Sequence, residues 1–355
     1  MVVGRGSEGC TGYHRSMEPP RLSDAVASPA IEPLPRFPLL DGPSPLQPLR
    51  RFSAALGGGA EVWIKREDLL PLAFGGNKLR NLEFLVGAAL ADDADVLVTS
   101  GRRWSNHCRL TAAAGAKAGL AVHLVLSGPP VSPPGPNERL DRLLGAIVHV
   151  SATDARADRE ALVEEVVASI RAEGRRPYVL PVGGSGPIGA AGQVLGGLEL
   201  ADQARSLGLD VRTVILPSAT GGTHAGVLVG LRLGGVAARV IGIAVASPPA
   251  ELEPIIRSLL EELAPLAGLR VDASEIDLDG EYLGSAYSVP TPAAAEAAEL
   301  LARTEGILVD PIYTAKALAG LVAGVRSGRL TGPVVFWHAG GTPGLFETLP
   351  EGDVP

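Results

Sequence analysis

The sequence predicts an α/β protein: two open, twisted, mostly parallel sheets flanked by helices, with a cleft between them. Three observations lead there. Short apolar runs alternate with helical stretches along nearly the whole chain, as parallel strands and their crossover helices do. There are more such runs than one doubly wound sheet needs, so they divide into two sheets. Polar or glycine-rich loops follow several of the runs, at the strand ends where open α/β sheets bind ligands. The crossovers are expected to be right-handed.

Composition sets limits. Of 355 residues, 46% are hydrophobic and 20% charged, with a net charge of −8 and a pI near 5.4. That is a soluble globular balance, with enough chain for one large core or two linked ones. The acidic balance argues against nucleic acid or an anionic membrane as partner, but leaves room for a local basic pocket. No apolar run reaches the ~18 residues of a bilayer span, and the N-terminus has no signal-peptide h-region. Cys10 and Cys108 make neither a disulfide framework nor a metal-ligand spacing. A cytoplasmic location is the default and no metal is expected.

Residues 1–35, rich in Gly, Pro, Ser and Arg and without periodicity, read as a disordered extension, with Met17 as an alternative start. Pro48 to Leu56 is a short helix stopped by three glycines. Glu61 to Lys65 is a strand through Val62, Trp63 and Ile64, ended by Arg66, Glu67 and Asp68. Leu79 to Leu90 has apolar residues at helical spacing: Leu79, Leu82, Leu85, Val86 and Ala89. Further strands are expected from Val96 to Val98, Ala121 to Leu126, Ile147 to Val150, Pro177 to Pro181, Val214 to Leu216, Val240 to Val245 and Val334 to Trp337. Helices are expected from Arg109 to Ala118, Asn137 to Leu144, Asp158 to Glu173, Ile188 to Leu207, Thr223 to Leu233, Glu251 to Leu263, Pro292 to Thr304 and Thr314 to Val325.

Four lysines stand among 31 basic residues, so 31 − 4 = 27 are arginine. Where Arg serves for generic positive charge, a retained lysine marks a place that needs an amine. An amine can lose its proton and form a Schiff base; a guanidinium cannot. Lys78 follows Gly75-Gly76-Asn77 in a turn before a helix and is the candidate nucleophile. A surface lysine opening a helix is the bland alternative.

Ser105-Asn106-His107 lie between a strand end and a helix start, suited to a carboxylate or phenolate. Ser105 or Asn106 as an ordinary N-cap competes with that reading. From Pro217 to Gly226 a strand runs through a Ser-Ala-Thr-Gly-Gly-Thr loop into a helix. Glycines, hydroxyls and the helix dipole together suit one phosphate. No Gly-Lys-Ser/Thr follows, which disfavours a nucleoside triphosphate. A plain strand-to-helix turn is the alternative.

Gly184 to Gly189 fits G-x-G-x-x-G formally, but Asp202 then falls inside a helix rather than at a strand end. A dinucleotide site is rejected on that ground. Tyr287 and Tyr313 sit in Gly/Pro-flanked loops, where buried hydrogen-bonded tyrosines are as good an account as pocket residues. Gly340-Gly341, after the last strand, admit a ligand close to backbone. A lysine for a Schiff base, a phosphate cup and polar loops at strand ends are together what pyridoxal 5'-phosphate needs.

From Arg36 to Phe346, in order, the chain resembles the D-cysteine desulfhydrase / 1-aminocyclopropane-1-carboxylate deaminase group of pyridoxal-phosphate enzymes. These have the tryptophan synthase β-subunit type of fold (fold type II). Lys65-Arg66-Glu67-Asp68 with Gly75-Gly76-Asn77-Lys78 looks like the segment of the Schiff-base lysine. Ser105-Asn106-His107 looks like the loop that holds the substrate carboxylate and the cofactor's phenolic oxygen. Ala219-Thr220-Gly221-Gly222-Thr223 resembles the phosphate cup, and Tyr287 and Tyr313 match two active-site tyrosines.

The resemblance implies an active site in an interdomain cleft. Residues 36–79 with 187–355 would form the larger domain, residues 80–186 the smaller, and two copies a homodimer. Lys78 would hold the cofactor and later take the Cα proton of a small amino acid. Ser105 and Tyr313 would position substrate or trade protons, and Tyr287 would line the pocket. A β-substituent such as thiol would leave, giving pyruvate and ammonia.

Departures from the pattern bear on the substrate. Ring-opening deaminases usually carry Glu where this chain has Thr314, the candidate partner of the ring nitrogen. Desulfhydrases commonly carry Thr where it has Ala339. Arg102-Arg103-Trp104 replace small residues and Gln, and Trp104 is expected to reshape the substrate pocket. Gly186 replaces Asn and Ser288 replaces Gly. The alternatives are a deaminase, a cysteate sulfo-lyase, a racemase or a β-replacement enzyme. Two other classes are a cofactor-binding protein without turnover and, on the Gly184 match alone, a nicotinamide oxidoreductase.

Overall fold

The computed structural model describes residues 31–347 apart from 32, 58 and 129–131. In chain order the strands are β1 (Leu46–Pro48), β2 (Ala60–Arg66), β3 (Val96–Arg102), β4 (Ala121–Ser127), β5 (Ile147–Val150), β6 (Pro177–Val179), β7 (Thr213–Ser218), β8 (Arg239–Ala244), β9 (Asp277–Asp279) and β10 (Gly332–His338). The helices are α1 (Arg50–Ala55), α2 (Lys78–Ala91), α3 (Asn106–Ala118), α4 (Pro136–Leu143), α5 (Arg156–Ala172), α6 (Pro187–Leu207), α7 (Gly222–Leu233), α8 (Pro249–Leu266), α9 (Pro292–Glu305) and α10 (Thr314–Arg326).

Two sheets form, as the alternation predicts. One has the order β1-β2-β10-β7-β8-β9 and is parallel except for antiparallel β1. The other has the order β5-β4-β3-β6 and is all parallel. Every residue of β7 is buried, which is why an interior parallel strand reads as a continuous apolar run. The edge strands β1 and β9 have three residues each. They escape the sequence reading because three residues show no period.

Several expected boundaries move; β3, for one, runs on to Arg102 rather than ending at Val98. Helix α3 starts at Asn106 rather than Arg109, because Ser105 caps it. Of the expected disordered extension, residues 1–30, with Cys10, lie outside the described residues. Ile31, however, is 1% exposed and packs in the core with Phe84. The backbone at Pro35 presses on α2, where a Cβ at Gly87 would lie 2.4 Å from the Pro35 carbonyl oxygen.

Helices α2, α6 and α7 pack through glycines. A Cβ at Gly192 would lie 1.9 Å from the Arg80 carbonyl oxygen, and one at Gly230 would lie 2.1 Å from that of Val194. Such approach leaves backbone against backbone, with little room for relaxation.

A buried ion cluster joins α2 to β2 and α6. Arg80 Nε donates to Glu67 Oε2 at 2.6 Å and its Nη1 to Glu199 Oε2 at 3.0 Å. Lys65 Nζ donates to the Ser44 carbonyl and to Gln203 Oε1, each at 2.7 Å, and to Glu199. Two cations and two carboxylates thus neutralise each other, with every charge bonded, the condition under which buried ions are tolerated. Desolvation pushes the Glu199 carboxyl up, but Arg80 and Lys65 hold it down at about 2.

Two outcomes follow. Gly230→Val should cost about 1–3 kcal/mol, read as a lower urea midpoint at unchanged m-value. Glu199→Gln leaves Lys65 and Arg80 short of a carboxylate and should cost about 3–5 kcal/mol. The Glu199 contribution is full above the ordinary 4.5 and is lost as pH falls towards 2. The wild-type protein should therefore lose stability across that window, and the variant should lose less, in acid titrations followed by circular dichroism.

Candidate active site

A cavity of about 350 Å³ opens beyond the C-terminal ends of β3, β7, β8 and β10, against both sheets. That is within the ~300–1,000 Å³ of small-molecule sites. Its lining includes Lys78, Ser105, Asn106, His107, Ala219, Thr220, Gly221, Thr223, Tyr287, Tyr313 and Thr314. Residues from five separate stretches of sequence therefore meet in one place.

Lys78 is the first residue of α2. The turn before it is unusual: Leu72, Ala73 and Phe74 have φ of 72°, 44° and 67°, followed by Gly75 at 63° and Gly76 at 128°. Left-handed backbone in three side-chain-bearing residues costs about 1–2 kcal/mol each and persists only where neighbours over-determine it. They do so here. Buried Arg109 donates to the carbonyls of Ala73 and, at 3.4 Å, Gly75. A Cβ on Gly75 would lie 2.3 Å from the Asp68 carbonyl oxygen, and one on Gly340 would lie 2.5 Å from the Gly76 Cα. The Asn77 amide nitrogen donates to the Ala339 carbonyl at 2.9 Å. The backbone at Ala339 thus supports the lysine turn, whatever its side chain.

The four lysines now separate. Lys65 is committed to three acceptors, and Lys316 donates to the carbonyls of Leu283 at 2.7 Å and Ala286 at 3.5 Å. Lys117 is exposed. Lys78 faces the cavity, and its amine has no hydrogen-bond or ionic partner among the described residues. Desolvation lowers it to about 8, within reach of a neutral, nucleophilic amine.

The candidate phosphate cup is a strand-to-helix turn of the kind the glycines suggest. Gly221, at φ 81°, turns the chain into α7. The first N–H groups of that helix are free of intrahelical partners. Asn77 Nδ2 donates to Thr223 Oγ1 at 2.9 Å, which leaves the Thr223 hydrogen free to donate. Among the described residues Ser218 Oγ is buried without a partner. Thr220 Oγ1 lies 2.5 Å from Ser185 Oγ. Helix N–H groups with hydroxyl donors and no carboxylate from the cup itself suit a phosphate monoester, so the residues fit pyridoxal phosphate. Gly222 belongs to the cup as the first residue of α7 but does not line the cavity.

Ser105 is an N-cap: its Oγ accepts from the Cys108 amide at 3.2 Å. The cap and a cavity-lining residue are therefore one and the same. Burial, then the Lys78 charge, push His107 down to about 3. It is a neutral imidazole with Nε2 3.0 Å from Thr99 Oγ1. Tyr287 and Tyr313 are hydrogen-bonded to each other through their hydroxyls, their rings 5.9 Å apart. Burial pushes both phenols above 10, Tyr313 well above. Ser288, next to Tyr287, has φ 65°, the conformation that glycine takes more cheaply.

Trp104, expected to contact substrate, does not line the cavity. It is 5% exposed, with its ring 6.4 Å from that of Tyr287. It acts on the pocket through Tyr287. The helix expected from Ile188 to Leu207 is met: α6 runs unbroken from Pro187 to Leu207, with Asp202 inside it.

The sequence reading missed Asp310, Asp154, Arg156 and Arg159 as lining residues, and named Arg102, which also lines the cavity, only as a departure from the family pattern. Asp310 accepts from the amides of Ile312, Tyr313 and Thr314 at 3.0, 2.7 and 3.2 Å and from Thr314 Oγ1 at 2.5 Å. An Asp before a Pro-containing turn and a helix was the available signal. The Thr314 hydroxyl hydrogen is therefore engaged with a carboxylate. Arg159 lies inside α5, where nothing in the helical pattern distinguishes it.

The family model for the pyridoxal-phosphate dependent enzymes matches residues 38–340. A D-cysteine desulfhydrase of Salmonella choleraesuis (strain SC-B67) is 42% identical over 322 residues, 89% of this chain and 97% of that protein. That of Salmonella newport (strain SL254) is 41% identical over the same shares. The crystal structure of an ACC deaminase homologue is 35% identical at a TM-score of 0.83, covering 90% of this chain and 96% of that one. A threonine deaminase, 22% identical at a TM-score of 0.61 and covering 84% of this chain and 92% of that one, shares the fold. The matched length and this level of identity establish that the chain belongs to the pyridoxal-phosphate-dependent enzyme family.

Proposed function

We propose that the protein is a lyase that eliminates a β-substituent from a small amino acid, as a D-cysteine desulfhydrase does, releasing pyruvate and ammonia. One observation carries this most: an unpartnered, desolvated Lys78 amine shares a cavity with a phosphate-shaped cup. Relatives at 41–42% identity with that activity support it.

Pyridoxal phosphate, when bound, supplies an aldehyde that condenses with amines and a ring that takes up the electron pair left at Cα. Ala219 to Thr223 would hold its phosphate, Asn106 would meet its phenolic oxygen, and Thr314, with Asp310 one hydrogen bond behind it, would partner the ring nitrogen. Lys78 would hold the cofactor by its amine and would take up the substrate's Cα proton. Ser105, Asn106 and His107 receive the substrate carboxylate at the start of α3. Tyr313, kept protonated by burial and paired with Tyr287, donates to the departing group. The β-substituent leaves with its bonding pair, and water completes the release of the keto acid.

The same reading takes residues 36–79 with 187–355 as the larger domain and 80–186 as the smaller. The four-stranded sheet, within 96–179, supports that division. It also takes a cytoplasmic homodimer as the working form. Phe74, Leu143 and Phe346, 60%, 80% and 70% exposed, line one apolar recess that a second copy would cover. Among the described residues no helix is long and apolar enough to cross a membrane.

Purified holoenzyme should release pyruvate from DL-cysteine and β-chloro-DL-alanine. Release of 2-oxobutanoate from aminocyclopropane carboxylate would instead select ring opening. Bound cofactor without any keto acid would sink the lyase reading. Lys78→Arg should abolish turnover. In the cofactor-free protein, labelling of Lys78 by an amine reagent should rise through about pH 8, the range in which the amine loses its proton. Tyr313→Phe should lower kcat by roughly 10²–10⁴ if Tyr313 is the proton donor.

A further inference from the structure

One buried amine has no part in the reading above. Lys316 is the third residue of α10, three beyond Tyr313. It is fully buried and does not line the cavity. Its hydrogen bonds go to backbone alone: Nζ donates to the Leu283 carbonyl at 2.7 Å and to the Ala286 carbonyl at 3.5 Å. Desolvation brings the amine down to about 8 against the pull of Asp310. Burying an ammonium is unfavourable, so filling space does not account for a lysine here.

The two carbonyls belong to the segment that leads into Tyr287. From Leu283 to Ser288 the chain is neither helix nor strand, and Gly284 and Ser288 have φ of 77° and 65°. Among the described residues, the backbone of this segment is hydrogen-bonded to another element only through Lys316. Tyr282, just before it, packs on the same helix: a Cβ at Gly320 would lie 3.3 Å from Tyr282 Cδ2. At the other end the Tyr287 hydroxyl meets that of Tyr313, the N-cap residue of α10. A loop with so few backbone bonds has many conformations open to it. An amine suits the task of choosing one, because a single nitrogen carries several N–H bonds and can serve two carbonyls at once.

We propose that Lys316 is a positioning residue: it clamps the backbone at Leu283 and Ala286 to α10 and so sets the Tyr287 hydroxyl against that of Tyr313. The start of one helix then places both phenols, Tyr313 directly and Tyr287 through the clamp. Loss of the clamp misplaces the hydroxyl pair, and a shift of ~1 Å in a catalytic group lowers a rate by up to ~10²-fold. The effect on turnover rests on the lyase reading; the clamp does not.

The test compares holoenzyme turnover of β-chloro-DL-alanine in the wild type, Lys316→Met, Tyr287→Phe and the double variant. Lys316→Met should lower kcat by about tenfold or more, with cofactor affinity within about threefold of wild type. In the Tyr287→Phe background the same change should alter kcat by less than about threefold, because the hydroxyl that the clamp sets is gone. Equal fold-losses in the two backgrounds overturn the proposal, as does an unchanged kcat in Lys316→Met. Lys316→Gln keeps a donor and should lie between wild type and Lys316→Met; it replaces the methionine variant if that one does not fold. A second measurement needs no turnover. With five tyrosines in the chain, holoenzyme labelled with 3-fluorotyrosine gives five fluorine resonances, that of Tyr287 assigned by its loss in Tyr287→Phe. In Lys316→Met the Tyr287 resonance should shift or broaden, while that of Tyr178 in β6 stays. An unmoved Tyr287 resonance overturns the clamp. If the wild type releases no keto acid, the lyase reading fails, and the fluorine spectrum decides the clamp alone.

Discussion

The cluster of Arg80, Glu67, Glu199 and Lys65 is the constraint on which the site depends. Arg80 lies two residues beyond Lys78 on α2, and it is bonded to β2 through Glu67 and to α6 through Glu199. Burying four charges is unfavourable unless each finds its partner, so the geometry that satisfies all of them is narrow. That narrowness fixes the start of α2. Gly192 allows α6 to lie against the Arg80 backbone, and the strained turn at Leu72–Gly76 is held from the other side by Arg109 and Gly340. The Lys78 amine is thus placed by its neighbours' bonds and has none of its own among the described residues.

Desolvation sets the protonation states around it. The same burial lowers Lys78 to about 8 and His107 to about 3, and raises Tyr287 and Tyr313. The cavity therefore offers a readily neutralised amine, a neutral imidazole and protonated phenols near neutral pH. Those are the states in which a base accepts a proton and a phenol donates one.

Much of the architecture was legible in the residues. Alternating apolar runs and helices predicted the two sheets, and the Ser-Ala-Thr-Gly-Gly-Thr loop predicted the cup, because backbone approach and hydroxyl donors need those residue types. Scarcity of lysine was a weaker guide than it looked: Lys65 and Lys316 are also buried amines, but as donors to carbonyls and a carboxylate. Ser288 shows that a departure from a glycine pattern can keep the glycine's φ of 65° at a cost. Trp104 proved to buttress Tyr287 rather than touch the cavity, since position beside a loop does not fix which way a side chain points.

By itself, the sequence determined the fold class and the candidacy of Lys78 and of the loop from Thr220 to Thr223, because periodicity, glycine placement and side-chain chemistry are local properties. Only the tertiary structure decided which lysine is unpartnered, that Asp310 stands behind Thr314, and that Lys316 bonds to the loop before Tyr287. Those facts depend on burial and on contacts between residues tens of positions apart. Burial decides whether an amine is neutral, and burial is not written in any one stretch of chain.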